Sequence, residues 1–152
     1  MPVRKLREFL DSNGVKYVTI SHSEAFTAQE IAASAHVSGR AYAKTVMLKL
    51  DGLMAMAVLP AADGVNLDMI QLVAGAGKAE LATEEDFREL FPECELGAMP
   101  PFGNLYGMDV LVEQELTSNR EITFNAGSHR ELVKLAYKDF ERLVEPMVAK
   151  FA

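Results

Sequence analysis

Apolar residues along the chain recur with two spacings, one typical of helices and one typical of strands. Runs of β-forming residues predict strands over 16–22, 45–50, 53–59, 109–113, 121–126 and 129–137. Apolar spacings of three and four residues, with capping and stop signals, predict helices over 3–13, from 27 onward, over 68–74 and 83–91, and from 138 toward 148. Helices and strands are interspersed, and Asp51-Gly52 is a hairpin signal. The predicted fold class is therefore α+β, with a mixed or largely antiparallel sheet.

The length of 152 residues suits one domain, and no repeat or linker divides the chain. We therefore expect residues 1–152 to form a single domain. Charges occupy the N-terminus where a signal peptide needs an apolar run, and the longest apolar stretch, 53–62, is far shorter than the ~18 residues of a membrane span. These features predict a soluble, cytoplasmic protein that does not associate with membranes.

The formal net charge of −7 counts against a protein that binds nucleic acid through bulk electrostatics, because phosphate neutralisation needs an excess of Lys and Arg. Any contact with nucleic acid must be local. Three basic groups are candidates for such contacts, although each one is more often solvated surface charge: Arg4, Lys5 and Arg7; Arg40, Lys44 and Lys49; and Arg130, Lys134 and Lys138.

Several motifs are present only in part. The run 75–78 ends in Gly-Lys, but Leu72 and Ala79 replace the Gly and the Ser or Thr that a phosphate-binding loop needs. Cys94 is the only cysteine, which excludes an internal disulfide and is more typical of a packed apolar residue than of a nucleophile. The histidines lack the spacing of a helical zinc pair, so the sequence offers no support for a metal site, although a site assembled from distant residues stays open.

Three features together indicate a pocket. Strand alternation places Lys44 at the start of the apolar face of 46–50 and His129 at the start of the apolar face of 133–137. Each side chain by itself could simply extend to solvent at a strand end. The loop 97–103 is rich in Gly and Pro, and such a loop can point backbone N–H groups at a developing oxyanion. The loop is equally compatible with a structural connector.

Four segments of the chain, 25–28, 43–48, 97–103 and 126–129, read Ala-Phe-Thr-Ala, Ala-Lys-Thr-Val-Met-Leu, Gly-Ala-Met-Pro-Pro-Phe-Gly and Ala-Gly-Ser-His. In this order and spacing they resemble the YbaK family. That family is the aminoacyl-tRNA deacylase domain that also occurs inserted in bacterial prolyl-tRNA synthetases. The resemblance extends over nearly the whole chain.

The resemblance implies one domain with a mixed, mostly antiparallel sheet that curls around a pocket and is flanked by helices. It implies hydrolysis of the ester that joins a mischarged amino acid to the 3′ end of tRNA. The catalytic positions of the family correspond to Lys44, Gly97 and His129. It implies no metal or other cofactor. The implied partner is aminoacyl-tRNA, and the resemblance leaves open whether the protein acts alone or beside prolyl-tRNA synthetase.

The chain offers no convincing protein nucleophile, so we expect water to attack an alanyl or cysteinyl ester on tRNA for proline. The residues expected to contact the substrate or set the size of its pocket are Phe26, Met47, Ala98, Met99, Pro101, Gly103 and Ser128. Three alternatives stay open at this point. They are a non-catalytic module that binds aminoacyl-tRNA or an adenylate, a general hydrolase of small esters or thioesters, and a structural interaction domain.

Overall fold

The computed structural model describes residues 3–21 and 40–152. Four helices lie in these ranges: α1 (Arg4–Ser12), α2 (Leu67–Ala74), α3 (Glu84–Phe87) and α4 (Tyr137–Val144). The strands are β1 (Tyr17–Ser21), β2 (Tyr42–Leu50), β3 (Leu53–Pro60), β4 (Ala79–Leu81), β5 (Asp109–Glu113), β6 (Glu121–Ser128), β7 (Glu131–Ala136) and β8 (Met147–Ala149). Short 3-10 helices cover Arg88–Leu90, Gly103–Tyr106 and Gln114–Ser118. None of the described helices is long and apolar enough to cross a lipid bilayer.

All eight strands belong to one sheet, in the order β1-β7-β6-β2-β3-β5-β8, with β4 paired to β2. The pairs β1–β7, β2–β3, β2–β4 and β6–β7 are antiparallel. The pairs β2–β6, β3–β5 and β5–β8 are parallel. The predicted α+β class with a mixed sheet is therefore confirmed.

Strand β3 lies at the centre of the sheet and is buried on both faces, as its continuous apolar sequence predicts. On one face Met56 and Val58 join the larger core cluster. On the other face Ala57 and Leu59 pack in a smaller cluster that includes Ile70 of α2. Each fully buried aliphatic side chain of this kind contributes about 1.5–3 kcal/mol relative to exposure.

Local signals explain where several elements begin and end. Asp51 and Gly52 both adopt positive φ, 51° and 84°, as the predicted tight hairpin between β2 and β3 requires. Gly75 ends α2 in the left-handed region. Thr83 and Asp86 form the predicted capping box of α3.

Two predicted helices are shorter than expected. The helix predicted over 83–91 is α-helical only to Phe87 and continues as a 3-10 turn. The helix predicted from 138 toward 148 ends at Val144, because Glu145 adopts a φ of 51° and Pro146 disfavours a helical conformation in the residue before it. Residues 147–149 instead form β8. The helix predicted from 27 onward lies outside the described residues.

In the loop 75–78, which resembles part of a phosphate-binding motif, backbone N–H groups bind a carboxylate of the chain itself. The backbone N–H groups of Gly77 and Lys78 donate to the Asp51 carboxylate at 3.1 and 2.8 Å. These amides hold the β2–β3 hairpin against the loop, which agrees with the absence of the phosphate-loop motif from the sequence.

A candidate active site at a fork in the sheet

Strands β2 and β6 pair only briefly and then separate. Their parallel ladder joins Tyr42 to Thr123 and Ala43 to Phe124, and it ends there. Farther along, β2 pairs with β4. We call the opening between the two strands the fork. Lys44 is the first residue of β2 beyond the last pair, and Asn125 is the first residue of β6 beyond it.

The amine of Lys44 differs from the amines of the other half-buried lysines. Lys49 lies 3.4 Å from an Asp86 carboxylate oxygen, and Lys134 lies 3.9 Å from a Glu121 carboxylate oxygen. Lys44 is also half-buried, yet it has no ion pair with any residue of 3–21 or 40–152. An ammonium group that has no carboxylate partner keeps its capacity to bind an anion. The geometry therefore favours an anionic ligand at this end of the fork.

The loop that carries Gly97 closes onto β6 beyond the fork. The Glu95 N–H donates to the Gly127 carbonyl at 2.8 Å, and the Gly127 N–H donates to the Ala98 carbonyl at 2.8 Å. Gly97 itself is exposed and has a φ of 85°, which L residues rarely adopt. The Ala98 N–H is bonded to the Glu95 carbonyl, whereas the Gly97 N–H has no acceptor among the described residues. That N–H group is free to donate to a ligand.

His129 lies beside this loop. Its Nε2 is 2.8 Å from the Leu96 carbonyl oxygen, and a Cβ added to Gly97 would lie 3.4 Å from its Cε1. A carbonyl oxygen only accepts hydrogen bonds, so this contact requires the proton on Nε2. In the neutral ring Nδ1 is then the acceptor that is left for a water or a hydroxyl.

The prediction that His129 begins a strand is wrong. Strand β7 starts at Glu131, and His129 with Arg130 forms the turn after β6. The turn is fixed by the ring contact with the loop and by the Arg130 N–H, which donates to Ser128 Oγ at 3.1 Å. The side chain is therefore positioned by the loop of Gly97 rather than by alternation along β7.

A hydrogen-bonded pair that the sequence analysis did not identify spans the fork. The Tyr42 hydroxyl donates to Asn125 Oδ1 at 2.5 Å, and Asn125 Nδ2 donates to the Ser128 carbonyl at 3.2 Å. Burial raises the pKa of Tyr42 to about 12, so the hydroxyl keeps its proton at neutral pH. Two sequence signals point to this pair: Tyr42 shares the strand face of Lys44, and Asn125 directly precedes the segment 126–129.

The structure brings Gly97 and His129 close together beyond the end of β6, whereas Lys44 lies on β2 at the start of the fork. Within the described ranges no hydrogen bond joins Lys44 directly to either residue. The residues predicted to contact substrate are mostly interior: Met47, Ala98, Met99, Pro101 and Gly103 are buried, and Ser128 is half-buried. Met47 and Met99 belong to the larger core cluster. Phe26 lies outside the described residues.

Gly103 has a clear packing role. A Cβ at this position would lie 2.7 Å from Val110 Cγ2 and 3.0 Å from the Met108 carbonyl oxygen. Only glycine fits there without movement of its neighbours. Its contact with substrate, like that of Ala98 and Met99, stays a prediction.

The three basic groups contain many cations that are already paired. The ion pairs join Arg4 to Glu8, Arg40 to Asp63 and Glu115, Lys49 to Glu80 and Asp86, and Lys134 to Glu121. Lys5 lies over the Tyr106 ring at 4.6 Å. Surface pairs of this kind reduce the local positive potential, so they favour solvated surface charge for most members of these groups.

Cys94 has its Sγ 4.0 Å from the Tyr106 hydroxyl. Burial raises the pKa of its thiol, so little thiolate forms at neutral pH and the side chain is a poor nucleophile. Within residues 3–21 and 40–152, no group of three or more acidic, His or Cys side chains is arranged to hold a metal ion.

Comparison with known proteins identifies the family of the chain. A family model described as the aminoacyl-tRNA editing domain matches residues 22–143, a range that contains Lys44, Gly97 and His129. No curated protein matches the chain at a significant level.

Two solved structures are similar to the whole chain. The crystal structure of the hypothetical protein APE2540 matches with a TM-score of 0.86 and 21% identity, over 97% of this chain and 99% of that chain. A proposed trans-editing enzyme for prolyl tRNA synthetase matches with a TM-score of 0.84 and 20% identity, over 97% of this chain and 94% of that chain. At these identities the two structures establish the fold alone.

Proposed function

The chain belongs to the aminoacyl-tRNA editing domain family, and we propose that it hydrolyses the ester between a wrongly attached amino acid and the 3′ end of tRNA for proline. The similar structure described for prolyl tRNA synthetase supports that choice of tRNA. The observation that carries the proposal is the half-buried Lys44, whose amine has no carboxylate partner within the described residues. An ammonium group in this state is an anchor for a phosphate of the terminal nucleotide.

Gly97 and His129 supply the polar groups for the reaction. The free N–H of Gly97 is exposed on a loop that two hydrogen bonds hold to β6, so it is preorganised to donate to an oxyanion. The Nδ1 atom of His129 accepts a hydrogen bond from the terminal ribose hydroxyl or from a water. Loss of one oxyanion donor costs on the order of 10²–10³ in rate.

The reaction itself is a simple hydrolysis. Water adds to the ester carbonyl, the tetrahedral intermediate places its negative oxygen at the Gly97 N–H, and the bond to the ribose oxygen then breaks. The proton that the attacking water loses is taken up by the ribose oxygen, which leaves as a hydroxyl, and the amino acid is released with the hydroxyl of the water on its carboxyl group. Orientation of the water against the ester supplies up to ~7–11 kcal/mol of the barrier reduction, because its entropy is lost on binding rather than in the chemical step.

Substrate choice is expected to depend on size. A single methylene in a pocket is worth only ~1–3 kcal/mol, so alanine and cysteine are hard to separate by fit alone. We propose both alanyl and cysteinyl esters as substrates, with prolyl-tRNA spared. Transient recruitment by prolyl-tRNA synthetase would compensate for the net charge of −7, which disfavours strong binding of tRNA by this chain alone.

The test is deacylation of tRNA for proline that carries alanine, cysteine or proline. Wild-type protein is compared with Lys44→Ala and with Lys49→Ala, which removes a second half-buried lysine from the same strand. We expect wild type and Lys49→Ala to release the wrong amino acid and Lys44→Ala to lose activity while keeping its fold by circular dichroism. Full activity of a folded Lys44→Ala protein contradicts the assignment.

The same assay separates the alternatives. A protein that binds aminoacyl-tRNA in a Lys44-dependent manner without release is a binding module. Equal hydrolysis of a small amino acid ester that lacks tRNA indicates a general esterase. If no release is seen, a repeat with added prolyl-tRNA synthetase decides whether a partner is required.

A further inference from the structure

We propose that Asn125 is a positioning residue that sets the separation between Lys44 and the turn of His129 across the fork. It does so through its two hydrogen bonds, one to Tyr42 on β2 and one to Ser128 at the end of β6, directly before the turn. The inference rests on the proposed function, because it assigns a role in the same site.

The chemistry of the amide fixes its orientation. The Ser128 carbonyl oxygen only accepts, so the Nδ2 end of Asn125 must face it. The Oδ1 end then accepts from the Tyr42 hydroxyl, which is a donor. The oxygen and the nitrogen of the amide are therefore both hydrogen-bonded, and the short side chain acts as a rigid link between β2 and the end of β6.

The backbone does not provide this link by itself. The ladder between β2 and β6 ends at Ala43 and Phe124, one residue before Lys44 and Asn125. The β6–β7 register also shifts between Asn125 and Ser128, which marks a bulge. Neither the β2–β6 ladder nor the β6–β7 ladder is regular at this point. The hydrogen bonds of the Asn125 side chain therefore fix the position of the turn relative to β2, the strand of Lys44.

Strand alternation connects the link to the lysine. Tyr42 and Lys44 are two residues apart on β2, so their side chains leave the same face of the strand. Tyr42 is buried, with 4% of its surface exposed. Its hydroxyl is therefore held in place, and displacement of Asn125 releases both the turn of His129 and the support beside Lys44.

Asn119 offers a matched control at the other end of the same strand pair. Its Nδ2 donates to the Arg40 carbonyl at 3.1 Å and to the Leu116 carbonyl at 3.2 Å. It thus connects the same two chain segments before the ladder begins rather than after it ends. If Asn125 merely stabilised the fold, Asn119→Ala would have the same effect on activity.

The kinetic experiment compares Asn125→Ala and Asn119→Ala on the mischarged tRNA that wild type deacylates. We expect Asn125→Ala to lower kcat on the order of 10²-fold with little change in KM, because misplacement by about 1 Å has this effect on reacting groups. Asn119→Ala is expected to keep kcat near the wild-type value, even if its melting temperature falls. Equal kcat values for the two variants would overturn the inference.

A second variant keeps the test valid if Asn125→Ala does not fold. Tyr42→Phe removes one of the two hydrogen bonds and is expected to lower kcat less than Asn125→Ala, with no further loss in the double variant. Its control is Tyr137→Phe, which removes a buried hydroxyl that has no hydrogen-bond partner in the described part of the chain. Additive effects of Tyr42→Phe and Asn125→Ala, or equal kcat for Tyr42→Phe and Tyr137→Phe, would contradict the link.

A structural measurement separates this inference from the proposed function. Amide hydrogen exchange at residues 128–131 should accelerate in Asn125→Ala and stay at the wild-type rate in Asn119→Ala. Unchanged exchange there overturns the link whatever the activity. Wild-type protein that deacylates no tRNA, with or without the synthetase, would instead refute the proposed function and with it the catalytic role of the link.

Discussion

Substitution of Gly103 by Ala tests whether the Gly- and Pro-rich loop is tied to the core. Gly103 opens the short 3-10 helix of residues 103–106 and is fully enclosed. An added Cβ would approach Val110 Cγ2 to 2.7 Å, the Met108 carbonyl oxygen to 3.0 Å and Met56 Sδ to 3.3 Å. The first two distances are shorter than or at the limit of normal carbon contacts, so neighbours must move.

The stability lost in Gly103→Ala depends on which neighbouring atoms can move. Met56 is unbranched and adapts readily, but Val110 is β-branched and stiff, and the Met108 oxygen belongs to the backbone. Insertion of one carbon into a packed site of this kind costs about 1–3 kcal/mol. For a domain of this size, that cost lowers the melting temperature by about 2–12 °C.

The assay is urea unfolding followed by circular dichroism, with Gly64→Ala as the control. Gly64 has no atom within 4 Å of an added Cβ and no positive φ, so the control is expected to be neutral or to gain up to about 1 kcal/mol. A Gly103→Ala protein as stable as the control would refute the packing argument. Unchanged stability with weaker binding of tRNA would instead favour contact of Gly103 with substrate.

Two further predictions concern buried polar groups. Glu113→Gln should destabilise the protein by about 1–3 kcal/mol in urea unfolding, because the carboxylate accepts from the N–H groups of Glu115, Phe151 and Ala152 and an amide cannot satisfy all three. The raised pKa of Tyr42, about 12 against 10, favours folding below pH 10, and this contribution of about 2–3 kcal/mol is lost between pH 10 and 12. Tyr42→Phe should therefore lose less stability than wild type over that range in pH-dependent unfolding, and an identical loss would contradict the assignment.

Elements with strong local signals were predicted closely from sequence. The Asp51-Gly52 turn, the Gly75 stop and the capping box at Thr83 each depend on residues within a few positions of one another. Such signals act before any tertiary contact forms. The helix predicted from 138 toward 148 ends before Glu145. Pro146 and the pairing of β8 with β5 have a larger effect there than the apolar spacing on which the prediction was based.

Identification of the candidate site depended on both the sequence and the tertiary structure. The resemblance of the chain to its family was recognisable in sequence, and the family match confirms it. The roles of Lys44, Gly97 and His129 stay a prediction. The prediction that strand alternation positions His129 was wrong, because a loop contact from more than thirty residues away holds the ring. Asn125 and Tyr42 were not singled out, since their partnership spans 83 positions.

The sequence by itself determined the starts of most of the described helices, the tight turns and the mixed fold class, because these depend on local propensity and periodicity. Tertiary structure alone decided that β2 and β6 run parallel, pair at two positions and then separate. This separation leaves Lys44 half-buried, with no carboxylate partner among the described residues, and Asn125 lies across the gap. Strand pairing of this kind is set by burial of both sheet faces over the whole chain, and no local segment specifies it.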